Sequence, residues 1–124
     1  SIDELSAHEE HEPRDILDDG TPRLITLTRL PSVGFTESIL RKRILQWRRM
    51  GLDVSEVEPA LTMASEQAYA LYAKIEEKVR RAVDLERHIN QNSGAFSATE
   101  EATARFRIRQ LTGLDELEQK LYGS

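Results

Sequence analysis

The chain has 124 residues, of which 22 are acidic and 17 basic, and it contains no cysteine. This length predicts one domain, and the lack of cysteine excludes disulfides, thiolate metal sites and cysteine nucleophiles. Because no apolar run is long enough to span a membrane and the first residues lack a secretory pattern, we expect a protein of the reducing cytoplasm with no membrane association.

The net charge of −5 is unevenly distributed. Residues 1–19 hold eight acidic side chains against Arg14, a net of −7, so the other 105 residues carry +2. Few large apolar residues and no sustained period occur here, and we therefore predict an acidic flexible leader at 1–20 and a helical domain at 21–124. His8 and His11 are three apart, whereas the helical zinc motif needs a spacing of four, so we expect a solvated tail and no metal site.

Residues 23–30 are ambiguous between helix and strand. A threonine followed by proline at 21–22 is a good helix start, and Leu24, Leu27 and Leu30 suit a short helix. The alternation with threonines suits a strand instead. Because the chain offers no convincing second strand, we favour the helix.

A clearer helix follows at 37–50. Thr36 is in the position of an N-cap, and Gly51 is the residue best able to take the left-handed conformation that ends a helix. Three large apolar residues form its predicted buried stripe: Leu40, Ile44 and Trp47.

The longest amphipathic stretch is residues 60–91, with apolar residues three and four apart throughout. As one helix it would measure roughly 48 Å, and we expect Pro59 in its first turn. Since the neighbouring helices are shorter, part of the apolar stripe should remain for a partner. The contact residues predicted from this periodicity are Tyr69, Leu71, Tyr72, Ile75 and Val79.

Two more helices are predicted at the C-terminal end. The sequence from Ser97 to Glu100 has capping-box spacing and opens a helix to about Leu111. Within it, residues 105–109 alternate with the period of a strand, which leaves that alternative open. After Gly113, residues 114–122 form a terminal helix.

No catalytic constellation is present in the sequence. No serine lies in a Gly-x-Ser-x-Gly elbow, and no glycine-rich phosphate loop occurs. We therefore expect a protein that is not an enzyme, with no cofactor and no small-molecule substrate.

A basic cluster supports an alternative function. Arginine beside an aromatic residue is typical of nucleic-acid surfaces, and five basic residues surround Trp47 on the 37–50 helix: Arg41, Lys42, Arg43, Arg48 and Arg49. The competing interpretation is the solvated face of an amphipathic helix with Trp47 in the core.

Residues 27–40 carry a resemblance that bears on this alternative. Leu27-Thr28-Arg29-Leu30-Pro31-Ser32-Val33-Gly34 resembles the Leu-x-x-Leu-Pro-Gly-Val-Gly hairpin of helix-hairpin-helix DNA-binding modules, with Ser32 in place of the first glycine. In that family the hairpin and the next helix start hold a phosphate. The resemblance implies a nucleic-acid site made of Val33, Gly34, Thr36, Arg41, Lys42 and Arg43.

A second, broader resemblance begins at Trp47-x-x-x-Gly51-x-Asp53-Val54-Ser55-x-Val57-Glu58. Followed by a long helix and a shorter helical return, it is similar to helical accessory segments of multidomain archaeal proteins. That resemblance implies a spacer or assembly surface without chemistry of its own.

Taken together, the sequence predicts an all-α fold, a small helical bundle built on one long central helix. The predicted function is a non-catalytic protein–protein interaction or assembly module that self-associates or scaffolds within a larger protein. The alternative is nucleic-acid binding, and a third hypothesis has the acidic leader covering the basic helix of its own chain.

Overall fold

The computed structural model describes residues 24–92, 94 and 96–123, and over these residues the fold is all-α, as predicted. Helix α1 covers Glu37–Arg49, and a 3-10 helix covers Ser55–Thr62. The long central helix α2 covers Ser65–Gln91, followed by α3 at Ala98–Gln110 and α4 at Leu114–Tyr122. The predicted leader at 1–20 lies outside the described residues.

The predicted single helix over 60–91 is wrong at its N-terminal end. Pro59 lies inside the 3-10 helix, and Met63 and Ala64 are extended before α2 begins. The Thr62 hydroxyl donates to the Pro59 carbonyl at 3.0 Å, and the Met63 N–H donates to Ala60 at 3.2 Å. The Met63 N–H thus closes a 3-10 turn to Ala60 and not an α-helical turn to Pro59, and the chain leaves the helix at Met63.

Residues 24–30 are not the predicted short helix. They form an irregular segment, which we call the strap, that lies against α1 and α2. Its carbonyl groups accept hydrogen bonds from side chains of those helices: Arg80 donates to Leu27, and Tyr69 donates to Leu30. Side chains from distant parts of the chain therefore satisfy the backbone groups that a helix would pair internally.

The helix ends that we predicted from capping residues and glycine are confirmed. Gly51 takes a φ of 86° just after α1, and the Ser97 side chain and the Glu100 side chain form a reciprocal capping box at the start of α3. Residues 105–109 are helical, so the strand-like alternation there does not decide the structure.

The core forms along α2 and is closed by the chain itself. Trp47 of α1 stacks on Tyr72 with 5.4 Å between ring centroids, and α3 and α4 pack on the C-terminal half of α2. Eight α2 residues of the apolar stripe are buried along its length: Ala68, Tyr72, Ile75, Val79, Ala82, Val83, Leu85 and Ile89. The strap and the 3-10 helix thus cover much of the stripe that the shorter helices do not, while Leu61 and Leu71 stay partly exposed.

Candidate interaction surfaces

The contact residues predicted on α2 lie in or against the core. Tyr72, Ile75 and Val79 are 0%, 2% and 4% exposed, and Tyr69 and Leu71 are half-buried against the same cluster. The apolar surface of Tyr72, Ile75 and Val79 is covered within the chain, so these three are not accessible for docking, while Tyr69 and Leu71 are partly accessible. Sequence periodicity identified the buried stripe but not what buries it.

Arg43, proposed for nucleic-acid contact, is buried in a polar network between α1, α2 and the strap. Its guanidinium donates to the Tyr72 hydroxyl and to the Thr28 carbonyl, both at 2.7 Å. The Tyr72 hydroxyl in turn donates to Glu76 Oε2 at 2.5 Å, and Glu76 also accepts from the Leu30 N–H. Arg43 therefore joins α1 to the strap and α2, and its role as a nucleic-acid contact is corrected.

Burial raises the pKa of the Tyr72 hydroxyl, and its hydrogen bond to Glu76 raises that pKa further. The phenol therefore stays protonated and keeps donating. This network holds a charged pair with its polar atoms satisfied, which is the condition for a buried ion pair to persist.

The other predicted nucleic-acid residues are exposed. Val33 is 87% exposed and Gly34 takes a φ of 80° in the turn before α1. The Thr36 side chain accepts the Ile39 N–H at 3.2 Å, so its hydroxyl serves as the helix cap. The structure brings Arg41 and Lys42 onto one exposed face of α1.

We call this exposed part of α1 the basic face: Arg41, Lys42, Leu45, Arg48 and Arg49. Leu45, 47% exposed, lies at its centre, three or four residues from each of the four cations. Arg41 pairs with Glu37 and Arg48 pairs with Glu58. Among the described residues, Lys42 and Arg49 have no ion-pair partner.

Helix α3 is held to α2 by a second buried carboxylate. Glu86 is 3% exposed and accepts two hydrogen bonds from the Arg109 guanidinium, at 2.5 and 3.0 Å. Arg105 lies 3.5 Å from the same carboxylate. Arg105 and Arg109 are thus turned inward, while Arg107 is exposed.

The outward side of α3 is unlike the basic face. Its exposed residues at helical spacing form what we call the uncharged stripe: Thr99, Ala102, Thr103, Phe106 and Gln110. Phe106 is 64% exposed at its centre. This stripe was not predicted from the sequence, because the arginines at 105, 107 and 109 give the segment the alternation that is typical of a strand. Counting at the helical period would have shown the absence of charge.

A groove of about 280 Å³ runs between α3 and α4 beside the uncharged stripe. Thr99, Thr103 and Leu117 line it together with the charged side chains of Glu100, Arg107, Glu116 and Lys120. The Lys120 ammonium lies 5.2 Å from the Phe96 ring centroid. Helix α4 is fixed by Arg81 of α2, which donates to Glu118 at 2.8 and 3.0 Å. The Arg81 guanidinium lowers the pKa of Glu118 below its usual range.

The described residues contain no group of three or more histidine, cysteine, aspartate or glutamate side chains arranged to hold a metal ion. His88 packs edge-on against the Tyr122 ring at 4.8 Å. None of the helices in this part of the chain has the length and apolar character needed to cross a membrane.

No family model, curated protein or solved structure matches this chain.

Proposed function

We propose that this chain is a non-catalytic assembly module that associates with a second copy of itself through the uncharged stripe of α3. The observation that carries the proposal is Phe106, 64% exposed in the middle of a helix face without a charged residue. An assembly role is also what the resemblance to helical accessory segments implies, and the lack of cysteine favours the cytoplasm as its location.

The composition of the stripe is unusual for a solvated helix face. Exposed helix faces in globular proteins are normally charged, as the basic face of α1 is here. The centres of protein interfaces are depleted in charge and enriched in aromatic residues. Phe106, surrounded by Ala102, Thr103 and Gln110, has the second composition.

The arrangement of charge along α3 favours a second copy as the partner. Glu100 and Glu101 lie in the first turn, and Arg107 lies in the last. When two α3 helices pack antiparallel about a two-fold axis, the acidic end of each lies opposite the basic end of the other. The partners of Glu100 and Arg107 on α4 are 3.5 Å away. Glu100 also accepts the Ser97 N–H in the capping box, so Arg107 is the group that can turn towards a partner at small cost.

The residues beside Phe106 also permit close approach. Ala102 and Thr103 are small, and the groove that Thr99 and Thr103 line begins one turn N-terminal to Phe106. In an antiparallel pair centred near Thr103, Phe106 of each copy would face the groove of the other. The same patch then supplies both the protruding Phe106 ring and the groove that receives it, as a two-fold interface requires.

Sedimentation over a dilution series tests the proposal, with Phe106→Ala as the variant. Truncating a central aromatic anchor of an interface costs 2 kcal/mol or more, so we expect the dimer of this variant to dissociate at about 30-fold higher concentration. Leu45→Ala removes a comparably exposed apolar side chain from the basic face and should leave the transition unchanged. A wild-type chain that stays monomeric at every concentration, or equal effects of the two variants, would contradict the proposal.

Nucleic-acid binding is a second candidate, favoured by the basic face and the exposed turn at Val33 and Gly34 that precedes it. Titration with duplex and single-stranded DNA at two salt concentrations tests it. Binding should weaken steeply with salt and be lost in Lys42→Glu, while Lys74→Glu, an exposed lysine on α2, should retain most of it. Absence of binding at low salt would end this candidate.

A further inference from the structure

The basic face of α1 is a cationic surface with an apolar centre. Four cations surround Leu45, and their acidic neighbours in the folded domain are the exposed side chains of Glu37 and Glu58. Lys42 and Arg49 have no ion-pair partner among the described residues. The face therefore fits an anionic partner that also carries an apolar side chain.

The strap begins near the C-terminal end of α1, on the buried side of that helix. The Ile25 N–H donates to the sulfur of Met50 at 3.4 Å, and Met50 is the C-cap of α1, directly after Arg49. The sequence before residue 24 thus joins the domain at the end of α1 where Arg48 and Arg49 lie.

That sequence has the complementary chemistry. Residues 1–19 carry a net charge of −7 and include Ile16 and Leu17, which are adjacent apolar residues within the acidic run. Helix α1 is roughly 20 Å long, while 19 residues can extend over about 60 Å. A segment tethered at Leu24 can therefore reach the whole basic face.

We infer that residues 1–19 bind to the basic face of α1 in the same chain, with Ile16 and Leu17 near Leu45 and the carboxylates against Lys42 and Arg49. Each exposed ion pair is individually weak and screened by salt. The tether supplies an effective concentration of about the millimolar range, which makes a weak contact populated in cis. This contact uses a different helix from the proposed self-association and does not depend on it.

A spin label in the leader tests the inference on the full chain. Because the chain lacks cysteine, Ala7→Cys provides a single attachment site for a nitroxide. In an isotope-labelled sample at low salt, the amide signals of the basic face should broaden, most at Lys42, Leu45 and Arg49. The amide signals of the uncharged stripe should not broaden. High salt should restore the basic-face signals.

Two controls decide the outcome. The same label in a chain with Glu9→Gln, Glu10→Gln, Glu12→Gln and Asp15→Asn should lose most of the broadening, whereas Glu66→Gln, an exposed carboxylate on α2, should not change it. Broadening that survives these four substitutions, or the absence of broadening with the wild-type leader at low salt, overturns the inference. In a second sample, isotope-labelled chains without the nitroxide are mixed with chains that carry it. Broadening of the isotope-labelled signals there shows binding between copies and overturns the same-chain assignment.

Discussion

Helices α1 and α3 have the same length, 13 residues, and the same internal design. Each is capped by a hydroxyl side chain, Thr36 or Ser97, and each is fixed to α2 by a buried ion pair. Arg43 with Glu76 holds α1, and Arg109 with Glu86 holds α3. What differs is the side that faces solvent.

The outward side of α1 is basic, whereas that of α3 carries the uncharged stripe. Capping and core packing use the inward side and the ends of a helix, so they leave the outer face free to vary. Two helices that satisfy the fold in the same way can therefore present different chemistry. The difference suggests separate partners, an acidic segment for α1 and a second copy for α3.

The largest expected effect comes from breaking either anchor. Glu76→Ala leaves the buried Arg43 without its carboxylate and should cost about 3–5 kcal/mol of unfolding free energy. Glu86→Ala should cost less, about 1.5–3 kcal/mol, because Arg105 keeps its pair with Glu101 and Arg109 is partly exposed. Urea unfolding measures it, with the exposed Glu66→Ala as the control, expected within about 0.5 kcal/mol. If Glu86→Ala costs no more than the control, the anchor assigned to α3 is wrong.

The two sides of α3 should respond differently to truncation. Ile108 is fully buried, and Ile108→Ala should lose about 2–5 kcal/mol of stability through the transfer and cavity terms. Phe106→Ala should change the stability of the dilute chain by less than about 0.5 kcal/mol. Thermal unfolding at low concentration separates these outcomes, and a large loss for Phe106→Ala would show that the ring belongs to the core.

The shared capping design predicts a smaller, matched effect. Ser97→Ala and Thr36→Ala should each lose about 1 kcal/mol, since each removes the acceptor for a first-turn N–H. Thr99→Ala changes an exposed hydroxyl on α3 that caps nothing and should be close to neutral. Equal losses for Ser97→Ala and Thr99→Ala would mean that the cap does not stabilise α3.

The smallest effect concerns pH. The Ser97 backbone N–H donates to Glu100 and, with Lys120 nearby, lowers the pKa of that carboxyl. A carboxyl whose pKa is lower in the folded state stabilises the fold above its unfolded pKa, and this contribution is lost as the pH falls through the folded value. An NMR titration should place the Glu100 pKa below that of an ordinary glutamate. A value at or above the ordinary one would contradict the capping box.

The elements predicted well from sequence are those whose signals act within one turn. Thr36, Gly51, Ser97 and Gly113 fixed the ends of α1, α3 and α4 because their caps and left-handed conformations need only neighbouring residues. The break before α2 was missed because the apolar spacing continues through Leu61 and Ala64 into α2, and that spacing does not distinguish a 3-10 turn from an α-helical one. The strap was missed because its partners are up to 53 residues away in sequence.

The candidate site shows the same limit. Helical periodicity located the apolar stripe through Tyr72 and Val79, but a pattern of apolar residues does not say whether the covering surface belongs to the same chain. Likewise, the sequence grouped Arg43 with Arg41 and Lys42, although the helical spacing places Arg43 on the inner side. Phe106 could have been found by reading 99–110 at the helical period.

The most direct test of the central claim, that the outer side of α3 is where the chain associates, is to follow amide chemical shifts of the wild-type chain on dilution. The amides that move with concentration should be those of Thr99, Ala102, Thr103, Phe106 and Gln110, while those of Lys42, Leu45 and Arg49 stay fixed. Shifts that move on α1 instead, or spectra that do not change with concentration, would contradict it.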